Sequence, residues 1–323
     1  MNLLLERFLL ITAAVILDWF LADREPFTHP VELIGNLIER LEAICREKTG
    51  EGRASGLLLA ILTLAVSGGL VYVLLSALRW FHPLPAALFS LYIFYSGLAA
   101  GSLAFCGRRI VRMLENDNLE GARSEVDGLI TRRADDMSPR DVSRAAVETV
   151  AENINDAVIA PLLFSLLFGP AGMIIFKAID TLDSMLGYRR EGYLDMGWAS
   201  ARIDDLACWI PARLTAAVLI FAALLPGYSA RRSWRTVKRD ARSTESPNAG
   251  YPEAAMAGAL GVRLGGPDYY FGELVEKPYL GEKLRQNSPT SLIQAIKLIY
   301  VSEIIFLLVS GYIVLRFAAF LPH

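Results

Sequence analysis

The chain has little of what metal cages and disulfide frameworks are built from: 323 residues include 3 cysteines and 3 histidines. Cys45, Cys106 and Cys208 form no CxxC pair, and His29, His82 and His323 show no metal-ligand spacing, so neither a zinc site nor a disulfide scaffold is expected. A metal would have to be held by carboxylates, amides and hydroxyls, which suit Mg²⁺. A GxxxxGK[ST] loop and a GxGxxG turn after a strand are also missing, which removes the two common nucleotide cradles. Formal net charge is −2, and no Lys/Arg-rich tract is interleaved with aromatics, so a nucleic acid is set aside as a partner. The N-terminus lacks a basic n-region and a small-residue cleavage site, and its apolar run is read as an anchor retained in the mature protein.

Apolar sequence is what the chain has in excess. It is 54% hydrophobic with a mean hydropathy of +0.38, too apolar for a soluble domain of this length. Uncharged runs long enough to cross a hydrocarbon core of roughly 30 Å occur at Leu57–Leu78, Leu84–Cys106 and Ala157–Phe176. Phe8–Leu21, Leu206–Leu225 and Leu298–Leu315 are weaker, interrupted by Asp18, Arg213 and Glu303. The expected fold is all-α: one membrane-embedded, multi-pass helical bundle over 1–323, with spans near 8–21, 57–78, 84–106, 157–176, 206–225 and 298–315. Lys and Arg alternate between them: five in 22–56, one in 79–83, eight in 107–156, four in 177–205 and ten in 227–290. The positive-inside rule then makes 22–56, 107–156 and 227–290 cytoplasmic and the cell membrane the location. Asp18 and Glu303 are read as packing residues outside any site.

The segments between spans are themselves patterned. In "HPVELIGNLIERLEAICREK", Pro30 suits a first helical turn, and Leu33, Ile34, Leu37, Ile38, Leu41, Ile44 and Cys45 form an apolar stripe opposite Glu39, Arg40, Glu42 and Arg46. In "SPRDVSRAAVETVAENINDAVIAPLLF", Ser138 is placed as N-cap, with Pro139 at the first helical position and Asp141 three residues after the cap. Glu148, Glu152 and Asp156 follow at intervals of four, one carboxylate above another, with Asn153 and Asn155 beside them. Ser243–Gly281 is punctuated by Gly and Pro, so it is read as a long glycine-rich loop without long helices or sheets. Tyr251, Tyr269, Tyr270 and Phe271 mark it as ordered.

Charges intrude where the neighbouring sequence reads as membrane. In "KAIDTLDSMLGY", Lys177, Asp180, Asp183 and Ser184 share one helical face, and "ARIDDLACWIPARL" adds Arg202, Asp204, Asp205 and Arg213. Such residues are costly at this depth unless paired or functional. Structural ion pairs are the plainer reading of a lone pair; two acidic pairs with polar residues upstream favour function. Carboxylates three apart on a helix can present Mg²⁺ to a polyphosphate, since the metal takes one or two carboxylates and keeps its other positions for water and phosphate oxygens. "SPNAGYPEA" supplies Ser246, Asn248 and a turn whose backbone N–H groups could nest an anion, with an ordinary β-turn as the alternative.

Five stretches together, "HPV" at His29–Val31, "VETVAENINDAVIAPLL", "KAIDTLDSMLGY", "ARIDDLACWIPARL" and "SPNAGYPEAAMAGALGVRLGGPDYYFGELVEKPYLG", resemble the adenosylcobinamide-phosphate synthase family of cobalamin biosynthesis, CobD/CbiB. The resemblance runs in order over nearly the whole chain. It departs at Asp180, where the family's "NTLDSM" has Asn, and at Cys208, where "DDxxN" has Asn; Cys208 is given no role. It implies a multi-pass enzyme that joins the propionate carboxylate of adenosylcobyric acid to aminopropanol phosphate or aminopropanol, with ATP as co-substrate and Mg²⁺ as cofactor. In that reading Glu152, Asp156, Asp180 and Asp183 surround Mg²⁺, and Lys177, Arg202 and Arg213 meet phosphates. Asp204 or Asp205 orients those cations or accepts the amine proton. Asn153, Ser246, Asn248 and Tyr251 contact a substrate, the last three from the glycine-rich segment. The partners implied are the corrinoid, the amine, the lipid bilayer, and a second copy or other cobalamin-pathway enzymes.

Two other classes fit parts of the pattern. An intramembrane Mg-dependent transferase acting on a diphosphate-activated lipid or alcohol would also use paired DxxD motifs and would need no ATP. A transporter would use broken helices and buried charge, but the two halves of the chain show no repeat. "LFGPAGMIIF", with Gly169, Pro170 and Gly172, is where a helix can break, so 157–225 can form broken or re-entrant helices, with two ordinary crossings as the alternative.

Overall fold

The computed structural model describes residues 3–22, 29–130, 133–187, 193–270 and 273–320, with side chains described except at 268–274 and 319–320. Tyr188, Phe271 and Gly272 of the motifs above lie outside the described residues, as do the side chains of Tyr269 and Tyr270. Among the described residues the helices are α1 (Leu3–Leu21), α2 (Pro30–Thr49), α3 (Arg53–Phe81), α4 (Pro83–Ser96), α5 (Ala100–Glu115), α6 (Leu119–Asp127), α7 (Pro139–Ile154), α8 (Ala160–Leu186), α9 (Trp198–Ala207), α10 (Trp209–Ala222), α11 (Ala230–Asp240), α12 (Gly250–Leu260) and α13 (Pro289–Phe320). A π-helical turn, Asn155–Ile159, joins α7 to α8. Strand β1 (Leu264–Gly265) pairs antiparallel with β4 (Tyr279–Leu280), and β2 (Asp268–Tyr270) with β3 (Glu273–Val275).

This is the all-α membrane bundle that the hydropathy predicts. Among the described residues four helical runs are long and apolar enough to cross a membrane: Arg53–Phe81, Pro83–Glu115, Pro139–Leu186 and Pro289–Ala318. The expected spans at 57–78, 84–106, 157–176 and 298–315 fall inside them. α9 and α10 meet the same criterion only as a pair broken at Cys208, within the expected span 206–225. α1 contains the expected span 8–21 but carries Glu6, Arg7 and Asp18, and Asp18 is 1% exposed. The single domain read from sequence resolves into two compact units, one of Met1–Ala99, Ala160–Cys208 and Ser310–His323, the other of Ala100–Ile159 and Trp209–Val309.

In the first unit α3 packs against α2, α4, α8 and α9. It buries Leu59, Thr63, Val71 and Leu75 and turns Leu70, Tyr72 and Val73 outward, an apolar outer face suited to lipid. The break expected in α8 is at Gly169, with φ +72° and Pro170 next. Proline has no N–H for the carbonyl four residues back, which is Leu166, and a kink also frees the next carbonyl. Arg7 of α1 replaces both partners: its Nη1 donates to Leu166 O at 2.9 Å and Leu167 O at 3.0 Å. α2 begins as predicted, with His29 Nδ1 accepting from Val31 N at 3.2 Å and Pro30 in the first turn. Only part of its apolar stripe is inward: Ile34, Ile38 and Cys45 are buried, whereas Leu33 and Ile44 are exposed.

In the second unit α7 starts with the predicted cap, Ser138 and Asp141 bonding each other's backbone N–H. Its buried residues, among them Val142, Ala145, Ala146 and Val150, pack on α5, α6 and α12. The expectation that Ser243–Gly281 lacks long helices is corrected here, since its middle is α12, an eleven-residue helix buried almost throughout. Its punctuation is that of a helix: Pro252 lies in the first turn, where a missing N–H costs nothing, and Gly261 caps the end. Between them small residues let α11 approach so closely that a Cβ on Gly258 would stand 2.6 Å from Ser233 Cα. The other described residues of the segment are loop, which the reading expects, and two short strand pairs, which it does not.

Candidate functional site

The first unit carries six of the candidate residues, on α8 and α9. Along 177–184, Ala178, Ile179, Thr181 and Leu182 are buried, and Lys177, Asp180, Asp183 and Ser184 form the more accessible face that the spacing predicts. Lys177 Nζ meets Asp180 Oδ2 at 3.0 Å. Thr181 and Ser184 hydroxyls return to the helix, donating to Lys177 O at 2.6 Å and Thr181 O at 3.0 Å. Asp183 lies over the helix end: Gly187 N donates to its carbonyl at 2.7 Å, and a Cβ on Gly187 would collide with Asp183 Oδ1. On α9, Arg202 reaches Asp205 at 3.5 Å, and Asp204 Oδ1 lies 3.7 Å from the Cys208 thiol. Cys208, given no role from sequence, is 2% exposed and packs with Ala160, Phe164 and Phe176. A small thiol there fills the core and donates weakly to Asp204.

Asp180 and Asp183 are hard oxygen donors on an accessible face, a donor set that fits Mg²⁺ bound through one or two carboxylates with water and phosphate completing the shell. Among the described residues no three His, Cys, Asp or Glu side chains gather as a cage.

The second unit carries the other seven. Glu152 is exposed, and Asn153 donates back to Thr149 O at 2.9 Å. The carboxylates stacked in sequence have separate partners. Glu148 Oε1 accepts from Gly265 N at 2.7 Å while Arg144 donates to Gly265 O at 2.7 Å, so an i,i+4 pair on α7 grips both backbone polar groups of one residue of β1. Asp156 accepts from Asn155 Nδ2 at 2.6 Å, and Thr215 of α10 donates to Asn155 Oδ1 at 3.1 Å. These contacts sit at the π turn, a feature that recurs at functional sites.

Arg213 organises the rest. Its Nη1 donates to Trp209 O at 2.9 Å and Asn248 Oδ1 at 2.8 Å, and its Nη2 to Pro247 O at 3.2 Å. The guanidinium also lies 4.5 Å from the Trp209 ring centroid and 4.1 Å from that of Tyr251. Three of its five N–H donors are thus engaged by these oxygens, and a further side-chain hydrogen bond joins it to Tyr251. Beside it opens a pocket of about 930 Å³ whose lining includes Trp209, Arg213, Arg242, Glu245, Ser246 and Tyr251. Arg242 Nε is 3.5 Å from the Tyr251 hydroxyl; that bond, aided by the charge of Arg213, holds the phenol below its ordinary pKa against the raising effect of burial. Of the two readings of "SPNAG", anion nest or ordinary turn, the side-chain contacts favour the turn. Asn248 N and Ala249 N both donate to Ser246 Oγ at 3.2 Å, so the serine hydroxyl has taken the place an anion would fill.

Trp209, Arg242, Arg144 and Glu148 were not singled out as site residues. Trp209 could have been, since it stands four residues before Arg213 on a helix, where a ring and a guanidinium meet. Arg242 joins Tyr251 only through the fold of α11 on α12, and no local spacing signals it.

Comparison with known proteins follows the motif order. The CobD/Cbib protein family model matches residues 11–299. The cobalamin biosynthesis protein CobD of Geobacter metallireducens is 42% identical over 301 residues, covering 93% of this chain and 95% of its own. The CobD proteins of Listeria monocytogenes serovar 1/2a and Clostridium acetobutylicum are 40% and 36% identical, covering 91% and 93% of this chain and 94% and 96% of theirs. No solved structure matches the chain.

Proposed function

The chain belongs to the CobD/CbiB family, and on that premise we propose that it is a cobalamin-biosynthesis enzyme of the cell membrane that ligates adenosylcobyric acid to aminopropanol phosphate or aminopropanol. The product would be adenosylcobinamide phosphate or its unphosphorylated counterpart. A carboxylate is a poor acyl donor, so amide formation requires activation. In this reading ATP transfers its terminal phosphoryl group to the propionate oxygen; the amine nitrogen then attacks the acyl carbon, the carbon–oxygen bond breaks and inorganic phosphate leaves. The amine loses its proton to Asp204 or Asp205.

Asp180 and Asp183 would hold Mg²⁺, which supplies charge neutralisation on the polyphosphate. Lys177 and Arg202, each paired with an aspartate of its own helix, would supply cations for phosphate oxygens. The observation that carries the reading is the pocket of the second unit. Arg213 and Arg242 bring two guanidiniums beside Tyr251 and a tryptophan wall, a lining suited to an anionic substrate with an apolar body. Ser246 and Asn248 shape that pocket by fixing the turn and by holding Arg213. Glu152, Asn153 and Asp156 keep the metal and substrate roles implied by the family motif.

The test is ATP consumption by the purified full-length protein, measured with and without the corrinoid carboxylate and the amine. Hydrolysis to ADP matched to amide formed, and dependent on Mg²⁺, is the expected result. Equal amide yield without nucleotide would overturn it in favour of a transferase using a pre-activated substrate.

A further inference from the structure

Away from the pocket, α11 presents a face that no other part of its unit covers. The inner side of "ARRSWRTVKRD" is short and polar: Ser233, Thr236 and Asp240 are buried, and Ser233 Oγ donates to Ala255 O of α12 at 2.8 Å. That packing turns Arg231, Trp234, Arg235 and Lys238 outward, at positions i, i+3, i+4 and i+7 of one stripe, and all four are exposed. Trp234 keeps 51% of its surface open, with Lys238 Nζ 5.0 Å from its ring centroid. The neighbouring Arg239 is neutralised by Asp240 and Glu282. Among the described residues Arg231 and Arg235 enter no ion pair. The stripe therefore offers three cations and an indole with no acid among them.

An indole left in water beside uncompensated cations is wasteful unless something covers it. The combination suits the headgroup layer of a membrane, where the ring sits at the interface and the cations meet phosphates. Chain position agrees. α11 starts at Ala230, shortly after the apolar α10 ends at Ala222, and Leu224 and Leu225 between them are exposed. We propose that Arg231, Trp234, Arg235 and Lys238 form a docking face for anionic lipid headgroups, separate from the substrate pocket. Charge complementarity selects this occupant, because each cation near an anionic leaflet contributes roughly fivefold in affinity.

The full-length protein reconstituted in nanodiscs tests this, with phosphatidylcholine alone or with added phosphatidylglycerol, by amide hydrogen exchange along α11. Protection should rise in the anionic discs by on the order of 10²-fold for three cations and fall back at high salt. The R231Q/R235Q/K238Q variant should lose that rise while α12 exchanges as in the wild type. Should the triple variant also loosen α12, the charge-retaining R231K/R235K variant decides: lipid dependence kept in it supports the face, and its loss overturns it. Equal exchange in the two kinds of disc would overturn the proposal. So would protection produced by soluble polyglutamate in neutral discs but not by phosphatidylglycerol, which would assign the stripe to an acidic protein.

Discussion

The accessible face of α8 and the pocket beside α10 hold charged residues in opposite ways. On α8 the pair Lys177–Asp180 is local, three residues apart on one helix, with Asp183 a turn further on. At Arg213 the partners Pro247 and Asn248 lie 34 and 35 positions along the chain, and the stacking ring of Tyr251 is farther still. A local pair can open and re-form without moving the backbone, as a metal-phosphate centre requires. A clamp across distant segments fixes the shape of a pocket and loses it when one member goes. In the proposed function the first region does the chemistry and the second positions the substrate, and substitutions can separate the two.

The largest effect is expected at Asp183. Asp183→Asn keeps volume and shape but removes the charge proposed to help hold Mg²⁺, so turnover should fall on the order of 10²-fold or more, with abundance and membrane insertion near normal. Asp18→Asn is the control, buried in α1 and outside the site; it should lower abundance and leave each folded molecule active. Turnover measured per folded molecule at limiting Mg²⁺ checks both. Wild-type turnover in Asp183→Asn would turn α8 into scaffold and erase the contrast.

That α8 was legible and the clamp was not has a physical cause. Helical periodicity converts spacing directly into a shared face, so Lys177, Asp180, Asp183 and Ser184 could be placed together from sequence, and the bundle itself follows from runs of apolar residues. The break at Gly169–Pro170 was legible for the same reason, because proline removes a donor at a known position. Its repair by Arg7 was not, since the two lie about 160 residues apart. In the glycine-rich segment Gly and Pro mark helix ends as well as breaks; Pro252 and Gly261 bound α12 rather than interrupt it. At "SPNAG" the turn was read correctly, but the hydroxyl that fills it competes with any anion, a contest sequence alone cannot decide.

A smaller effect is expected at the clamp. Arg213→Lys retains the charge but not the planar fork, so it cannot serve Trp209 O, Asn248 Oδ1 and Pro247 O while stacking between two rings. Stability should fall by about 2 kcal/mol, the scale of hydrogen bonds from a charged group. KM for the anionic substrate should rise roughly tenfold with kcat less affected, because a misplaced wall weakens binding more than it alters the reacting atoms. Thermal unfolding in detergent and steady-state kinetics report the two separately. A fall in kcat with KM and stability unchanged would move Arg213 from positioning to chemistry.

The smallest effect should come from a third region, where a charged pair serves neither role. Asp240, at the end of α11, accepts from Arg239 Nε at 2.6 Å, Arg239 Nη2 at 2.9 Å and Gly281 N at 2.8 Å, tying the helix to the end of the glycine-rich segment. Burial alone would raise its pKa; the bonds from Arg239 and Gly281 and the Arg239 charge outweigh it and hold the carboxyl below the ordinary 3.8. A carboxyl depressed in the folded state contributes stability that is fully present above its unfolded value and is lost as pH falls through the folded one. Asp240→Asn should therefore cost about 1 kcal/mol near neutral pH, and the gap from the wild type should close only below pH 3.8. Unfolding followed across that range in detergent measures it. Turnover at neutral pH should stay within about twofold, since neither Asp240 nor Arg239 lines the pocket. A gap that persisted unchanged into acid would mean that the ionised carboxylate is not what the clasp depends on, and a tenfold loss of turnover would extend the pocket's machinery to the end of α11.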